Sequence, residues 1–130
     1  MRRRSGLILY VHGARDPRWA DPFMRLRERV AALAPDRDVA IAFLEHAPPD
    51  LAGAVAQMSA HGIDRIRVVP MFFGRGGHLR DDFPVQLRAA RAAAPAVAIE
   101  VTAAAGESEQ VLDALAAFAL QAPALPDVQY

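Results

Sequence analysis

Short β-like runs alternate with stretches of helical periodicity along this chain, and this alternation restricts the fold more than any other feature. Four runs of mostly apolar residues are each followed by a segment whose apolar residues recur every three or four positions. Strands that alternate with helices are typical of a parallel sheet, because each helix returns the chain to the edge where the next strand begins. The sequence therefore predicts an α/β fold with a four-stranded parallel sheet.

The boundaries of these elements follow from the same pattern. Strands are predicted at residues 7–11, 39–44, 66–72 and 97–101, and the first helix at about 20–34. Asp50 is predicted to cap the second helix, which His61 and Gly62 end, and Asp81 and Asp82 suit the start of the third. The four helices carry apolar stripes, which are Phe23, Leu26, Val30 and Leu33; Leu51, Val55 and Met58; Phe83, Leu87 and Ala90; and Val111, Leu115 and Phe118.

Three polar positions fall at the ends of the predicted strands. Right-handed crossovers make 2-1-3-4 the simplest strand order, with helices on both faces and a ligand crevice beyond the carboxyl ends of the strands. His12 directly follows the first strand, Glu45 ends the second, and the glycine-rich segment from Gly74 to His78 follows the third. Because the first and third strands are neighbours in this order, His12 and His78 are expected to lie close together.

The residue types at these positions allow more than one chemistry. Two imidazoles and a carboxylate can hold a divalent first-row metal ion, or they can act as a general acid and base. The plainer interpretations are a hydrogen-bonded structural His12, an exposed loop residue at His78 and a solvated carboxylate at Glu45. His46 is interpreted as a surface residue on the opposite face of the strand, and His61 as a structural residue at a helix terminus.

The glycine-rich segment and the nearby arginines also have two interpretations. Backbone N–H groups of Gly74, Gly76 and Gly77 can cradle a phosphate, although the segment lacks the Walker lysine and the dinucleotide fingerprint. The arginines can bind the carboxylates of a ligand or can be ordinary surface residues, and they are Arg15, Arg18, Arg75 and Arg80.

Composition narrows the possible functions. The chain has 130 residues, which favours one domain at 6–120 with tails at 1–5 and 121–130. Its 15 basic and 15 acidic residues balance, which argues against nucleic-acid binding through a broad basic field. The lack of cysteine excludes thiolate metal sites and cysteine nucleophiles. The apolar runs are too short for a signal peptide or a membrane span, so we expect a cytoplasmic protein.

Three motifs in order give a resemblance to a known family. They are the segment from His12 to Pro17 (HGARDP), Phe43-Leu44-Glu45, and the run from Val68 to Phe73 (VVPMFF) with Gly76-Gly77-His78 and Asp81-Asp82-Phe83-Pro84. Together they resemble the small class II metal chelatases of the sirohydrochlorin cobaltochelatase and ferrochelatase (CbiX) type. The similarity extends over about residues 6–120.

The resemblance implies insertion of cobalt, iron or nickel into sirohydrochlorin or a related tetrapyrrole, in cobalamin or siroheme biosynthesis. It implies that His12 and His78 handle the metal, that Glu45 is their acidic partner, that the chain forms a homodimer and that no organic cofactor is bound. Substrate contacts are expected from Arg15, Arg75, Gly76 and Gly77. Because a protonated imidazole cannot bind metal, we expect activity to fall as the pH drops through the usual histidine pKa of about 6.5.

Two other functions remain open from the sequence. A protein of the same fold can carry a metal or a tetrapyrrole without turnover. A hydrolase or phosphoryl-transfer enzyme can use His12, Gly13 and the glycine-rich segment, although no serine lies in a nucleophile elbow. A test of metal insertion by the purified protein distinguishes a carrier of this kind from a chelatase.

Overall fold

A computed structural model of the chain describes residues 4–74 and 76–126, with the backbone alone for residues 77–79. Within these residues one sheet holds the strands β1 (Ser5–Val11), β2 (Arg37–Phe43), β3 (Arg65–Pro70) and β4 (Ala98–Val101). The strand order is β2-β1-β3-β4, and each neighbouring pair is parallel. The predicted α/β class and the 2-1-3-4 order are confirmed.

Within the described ranges, four helices connect and follow these strands. They are α1 (Asp21–Leu33), α2 (Leu51–Ala60), α3 (Gly77–Ala93) and α4 (Glu109–Gln121), and two short 3-10 helices lie at Pro17–Ala20 and Ala105–Glu107. The predicted cap of α2 is present, because the Asp50 carboxylate accepts a hydrogen bond of 2.8 Å from the backbone N–H of Gly53. In the part of the chain that the structure describes, none of the helices combines the length and apolarity needed to cross a bilayer.

Side chains alternate between the two faces of the sheet and build a core on each. Ile8 and Tyr10 of β1 belong to the larger core, which α2 and α3 cover with residues that include Leu51, Val55 and Ala90. The smaller core lies under α1 and contains Leu7, Leu9, Val11 and Ile41, with Phe23, Leu26 and Val30 packed against it. Period-two alternation in β1 therefore places helices on both faces, as expected.

Helix α3 begins earlier than the sequence indicates. Its first residue is Gly77, so Asp81 and Asp82 lie in its second turn and not at its start, and His78 is helical and not part of a loop. Gly76 occupies the N-cap position with an extended backbone, and its carbonyl accepts a hydrogen bond of 3.0 Å from the N–H of Arg80. Because a glycine cap makes no side-chain hydrogen bond, this helix start resembles a flexible loop in the sequence.

Two predicted apolar stripes are less buried than their spacing indicates. Leu33, the last stripe residue of α1, is 87% exposed because it lies at the final residue of the helix, away from the core. Helix α4 exposes Leu112, Leu115 and Phe118, with Phe118 68% exposed, and contributes no residue to either core. The chain therefore leaves an apolar face of α4 open to solvent.

Candidate active site

His12 lies at the carboxyl-terminal edge of the sheet, directly after β1. Its imidazole contacts the ring of Phe72 edge-on, with ring centroids 4.3 Å apart and ring planes at 67°. Phe72 follows the neighbouring strand β3 and is only 1% exposed, whereas His12 itself is exposed. A buried ring therefore supports an accessible imidazole at the predicted edge.

Glu45 lies beside His12 because backbone pairing continues beyond the ends of β1 and β2. The N–H of Leu44 donates to the carbonyl of Val11 over 2.8 Å, and the N–H of Glu45 donates to the carbonyl of His12 over 3.0 Å. Strand β2 ends at Phe43, so Glu45 lies two residues beyond the strand that it was predicted to end. The structure thus places the backbones of His12 and Glu45 next to each other.

Gly13 makes this close approach possible. Its φ is +89°, a left-handed value that favours glycine, and a Cβ at this position would lie 1.9 Å from the carbonyl oxygen of Glu45. A side chain at residue 13 therefore cannot be accommodated without moving the segment that carries Glu45.

His46 is exposed, as expected for a surface residue, but it does not lie on the opposite face. It was expected on the opposite face from Glu45 by strand alternation, but its Nε2 lies 3.6 Å from Oε1 of Glu45. The alternation fails here because the strand has already ended and His46 adopts a φ of +71°. Pro48 and Pro49, shortly after this position, were the sequence signal for a turn that could have identified the change of direction.

His78 lies in the first turn of α3, as the backbone of residues 77–79 shows. Eight residues further along α3, Gln86 contacts the end of β1 and the segment after β2. At a rise of 1.5 Å per residue, the His78 backbone lies about 12 Å from Gln86 along the helix axis, toward the first residue of α3. Its side chain, and the whole of Arg75, lie outside the described residues.

A partly buried chain of hydrogen bonds beneath the site was not found from the sequence. The Tyr10 hydroxyl donates to Oε1 of Gln86 over 2.6 Å, and Nε2 of Gln86 donates to the carbonyl of Leu44 over 2.9 Å. Burial raises the pKa of Tyr10 well above its usual value, and the charges of Asp82 and Asp50 raise it further. The phenol is therefore neutral at ordinary pH and donates its hydrogen bond to Gln86.

The candidate arginines are not equivalent. The guanidinium of Arg18 binds both carboxylate oxygens of Asp16, with 2.7 Å between Nη2 and Oδ2, and these hydrogen bonds lower the pKa of Asp16. Arg18 is therefore engaged locally, which makes it a weaker candidate for binding a ligand. Arg15 and Arg80 are exposed.

The opposite edge of the sheet also carries a groove. Its lining includes Arg4, Arg37, Arg65, Arg67 and Glu100. Arg4 pairs with Asp38 and Arg67 with Glu100, each at 2.7 Å, so acidic partners offset basic charge there. The histidines singled out for chemistry are at the other edge, where we place the candidate site.

The imidazole nitrogen and the carboxylate oxygen at this site can each bind a metal ion or accept a proton. Among the side chains that the structure describes, no group of three or more His, Asp or Glu residues is arranged to hold a metal ion. His12 and Glu45 are both exposed at this edge, and their backbones are adjacent.

A four-stranded parallel sheet of order β2-β1-β3-β4 with helices on both faces defines the class as an α/β protein, with the candidate site at the carboxyl-terminal edge of the sheet. The model of the CbiX family matches residues 6–122. The chain therefore belongs to the CbiX family, and the resemblance noted in the sequence is confirmed.

Named relatives agree with this membership. The sirohydrochlorin cobaltochelatase of Saccharolobus solfataricus is 35% identical over 79 residues, which are 61% of this chain and 60% of the relative. That of Sulfurisphaera tokodaii is 31% identical over 85 residues, covering 63% of this chain and 67% of the relative. The chain thus spans about 60% of the length of the first of these curated relatives.

Solved structures share the fold. The putative cobalamin (vitamin B12) biosynthesis CbiX protein from Marinobacter aquaeolei superposes with a TM-score of 0.79 at 29% identity, covering 90% of this chain and 95% of that one. The sirohydrochlorin chelatase SirB from Bacillus subtilis in complex with cobalt gives 0.75 at 24% identity, covering 91% of this chain and 51% of SirB. At 24% identity, the likeness to SirB shows that the two proteins share a fold.

Proposed function

We propose that this chain inserts a divalent metal ion into sirohydrochlorin or a closely related tetrapyrrole. The observation that carries the proposal is the hydrogen bond from the Glu45 N–H to the His12 carbonyl, which holds a metal-binding residue type and a proton acceptor together at the exposed edge. Membership of the CbiX family and relatives named sirohydrochlorin cobaltochelatase support the same reaction.

The reaction requires a metal ligand and a proton acceptor. The incoming ion exchanges water for protein donors, and the macrocycle then loses two pyrrole protons as its nitrogens bind the ion. His12 and His78 are proposed to hold the ion as neutral imidazoles. Glu45 is proposed to accept one of the two protons, and the other passes to solvent water at the exposed edge. The ion and the tetrapyrrole are both substrates, and no organic cofactor is part of the proposal.

Substrate binding is proposed to use the same edge. The exposure of His12 and Glu45 leaves room for a flat macrocycle to approach them. The exposed Arg15 supplies positive charge for carboxylates on the rim of the ring. Arg75, Gly76 and Gly77, at the start of α3, are proposed to contact the substrate as well.

The metal is proposed to be cobalt or iron, with nickel as a third candidate, in cobalamin or siroheme biosynthesis. Solved SirB structures contain cobalt in one case and Fe3+ in another, and the relatives are named for cobalt. Similar donors bind all of these ions, so geometry and supply decide among them. We propose that the reaction takes place in the cytoplasm.

The chain is proposed to act as a homodimer through α4. Leu112, Leu115 and Phe118 form an exposed apolar face on this helix, and a second copy of the chain would remove it from water. The SirB chain, of which this chain covers about half, has the length of two such units. Two copies of this chain therefore match the length of one SirB chain.

Insertion is tested by mixing the purified chain with metal-free sirohydrochlorin and Co2+, Fe2+ or Ni2+ and following the absorbance change of the macrocycle. We expect an insertion rate far above the rate without protein, and a large loss of that rate in Glu45→Gln. The rate should fall at acidic pH, because a protonated imidazole cannot bind a metal ion. Metal binding without insertion would favour a carrier of the same fold, and a rate equal to the protein-free rate would contradict the proposal.

A further inference from the structure

The side chain of Gln86 touches two of the segments that carry the candidate site and belongs to the helix that carries the third. Its Oε1 accepts a hydrogen bond of 2.6 Å from Tyr10, two residues before His12. Its Nε2 donates a hydrogen bond of 2.9 Å to the carbonyl of Leu44, the residue before Glu45. Gln86 itself lies on α3, whose first turn includes His78.

From this arrangement we propose that Gln86 is a positioning residue, which fixes Glu45 relative to the ends of β1 and α3 during metal insertion. The inference rests on the proposed function for its effect on turnover. The anchoring of the Glu45 segment by Gln86 is independent of that function, because it is present in the protein without substrate.

The segment after β2 needs such an anchor because it is irregular. Strand β2 ends at Phe43 and α2 begins at Leu51, so Glu45 lies in a connection without regular secondary structure. Two backbone hydrogen bonds hold its start to β1, and the Gln86 amide binds the one carbonyl between them. Loss of that bond leaves a buried acceptor without its donor, and the segment then gains freedom to move.

The other end of Gln86 is fixed by a rigid partner. Tyr10 is fully buried, and its ring packs against Phe72 at 5.6 Å and Phe83 at 5.3 Å between centroids. Phe72 in turn supports the imidazole of His12. The hydroxyl that binds Gln86 therefore has one well-defined position, which sets the position of the amide that holds Leu44.

Glutamine suits this role because it carries an acceptor and a donor on one planar group. Gln86→Met keeps the length and removes both hydrogen bonds. Gln86→Glu keeps an acceptor for Tyr10 but presents an oxygen, not an N–H, to the carbonyl of Leu44. Gln57 is an exposed glutamine on α2, so Gln57→Met is a matched control for the same chemical change.

The first arm of the test needs no substrate. Amide hydrogen exchange is measured at Leu44 and Glu45 and, for reference, at Ile63 beyond the other end of α2. We expect exchange at Leu44 and Glu45 to be at least fivefold faster in Gln86→Met and Gln86→Glu, with Ile63 changed less than twofold. Gln57→Met should leave all three amides unchanged. Wild-type exchange at Leu44 and Glu45 in both Gln86 variants would overturn the proposal.

The second arm measures Co2+ insertion into sirohydrochlorin. We expect kcat in Gln86→Met to fall about tenfold with KM changed less than twofold, because Glu45 acts in the proton-transfer step and not in gross substrate binding. The same change in a Glu45→Gln background should have no further effect, whereas a general loss of stability would add to it. An unchanged kcat, or full additivity with Glu45→Gln, would overturn the positioning role.

The two arms separate this inference from the proposed function. A wild-type chain that inserts no metal would overturn the proposed function alone. Exchange at Leu44 and Glu45 would then still support or overturn the anchoring by Gln86.

Discussion

The imidazole of His12 lies edge-on against the ring of Phe72, with their centroids 4.3 Å apart. The two residues follow neighbouring parallel strands, so the order of the sheet creates this contact. Phe72 is buried in the larger core while His12 is exposed, which ties an accessible group of the site directly to the packing of the protein.

Replacement of Phe72 should therefore affect both stability and the site. Phe72→Ala is expected to lower the free energy of unfolding by about 3–5 kcal/mol, as for other buried phenylalanines. Phe72→Leu should cost less stability because it keeps most of the apolar volume, but it removes the ring that supports His12. Urea unfolding and Co2+ insertion measured on both variants check this. Full activity in Phe72→Leu would show that the ring contact does not orient His12.

The contact between Gly13 and Glu45 gives a prediction with an internal control. Gly13→Ala combines a left-handed φ with a collision against the Glu45 carbonyl, whereas Gly62→Ala has a similar φ of +85° and no atom within 4 Å of the new Cβ. We expect Gly62→Ala to cost about 1 kcal/mol and Gly13→Ala at least about 2 kcal/mol more. Denaturant unfolding measures both, and equal losses would contradict the close approach.

The buried phenol of Tyr10 makes stability fall at alkaline pH. Its folded pKa is raised above the unfolded value of about 10, so its contribution is complete below pH 10 and is lost as the pH rises above it. The expected slope is about 1.4 kcal/mol per pH unit for one proton. The free energy of unfolding is measured between pH 9 and 11 for the wild type and for Tyr10→Phe, in which this loss of stability with rising pH should be absent. The same slope in both proteins would contradict the assignment.

The exposed face of α4 predicts the effect of charge on assembly. Phe118→Glu should convert the proposed homodimer to monomers, because it places a carboxylate in an apolar interface. Ala117→Glu introduces the same charge at an exposed position on another side of α4 and should leave the assembly intact. Sedimentation velocity distinguishes the two states. A monomeric wild-type chain would contradict the homodimer. A dimer in Phe118→Glu would show that the interface lies outside this face of α4.

The sheet could be predicted from the sequence because periodicity and crossover handedness leave few alternatives. Each of the four strands overlaps its predicted range, and the order is the simplest one that those rules allow. The position of His12 follows from the same reasoning, since the first strand ends where its apolar run ends.

The remaining features depend on tertiary contacts that a local pattern does not contain. The start of α3 was misplaced because glycines at a helix start resemble a loop, and His46 was misplaced because its positive φ interrupts the alternation. Gln86 has no distinguishing local signal, since a glutamine beside an apolar stripe usually faces solvent. Its role depends on Tyr10 and Leu44, which are 76 and 42 residues away in sequence.

His12 and His78 are proposed to hold one metal ion between them, and a count of the imidazole ligands on the bound ion decides whether they do. Co2+ is bound to the wild-type chain without tetrapyrrole, and X-ray absorption gives the number of imidazoles per ion for wild type, His12→Ala and His78→Ala, with His61→Ala as the control. We expect two imidazoles in wild type and in His61→Ala, and one in each of the other variants. A ligand count that neither His12→Ala nor His78→Ala changes would contradict a metal site shared by these two histidines.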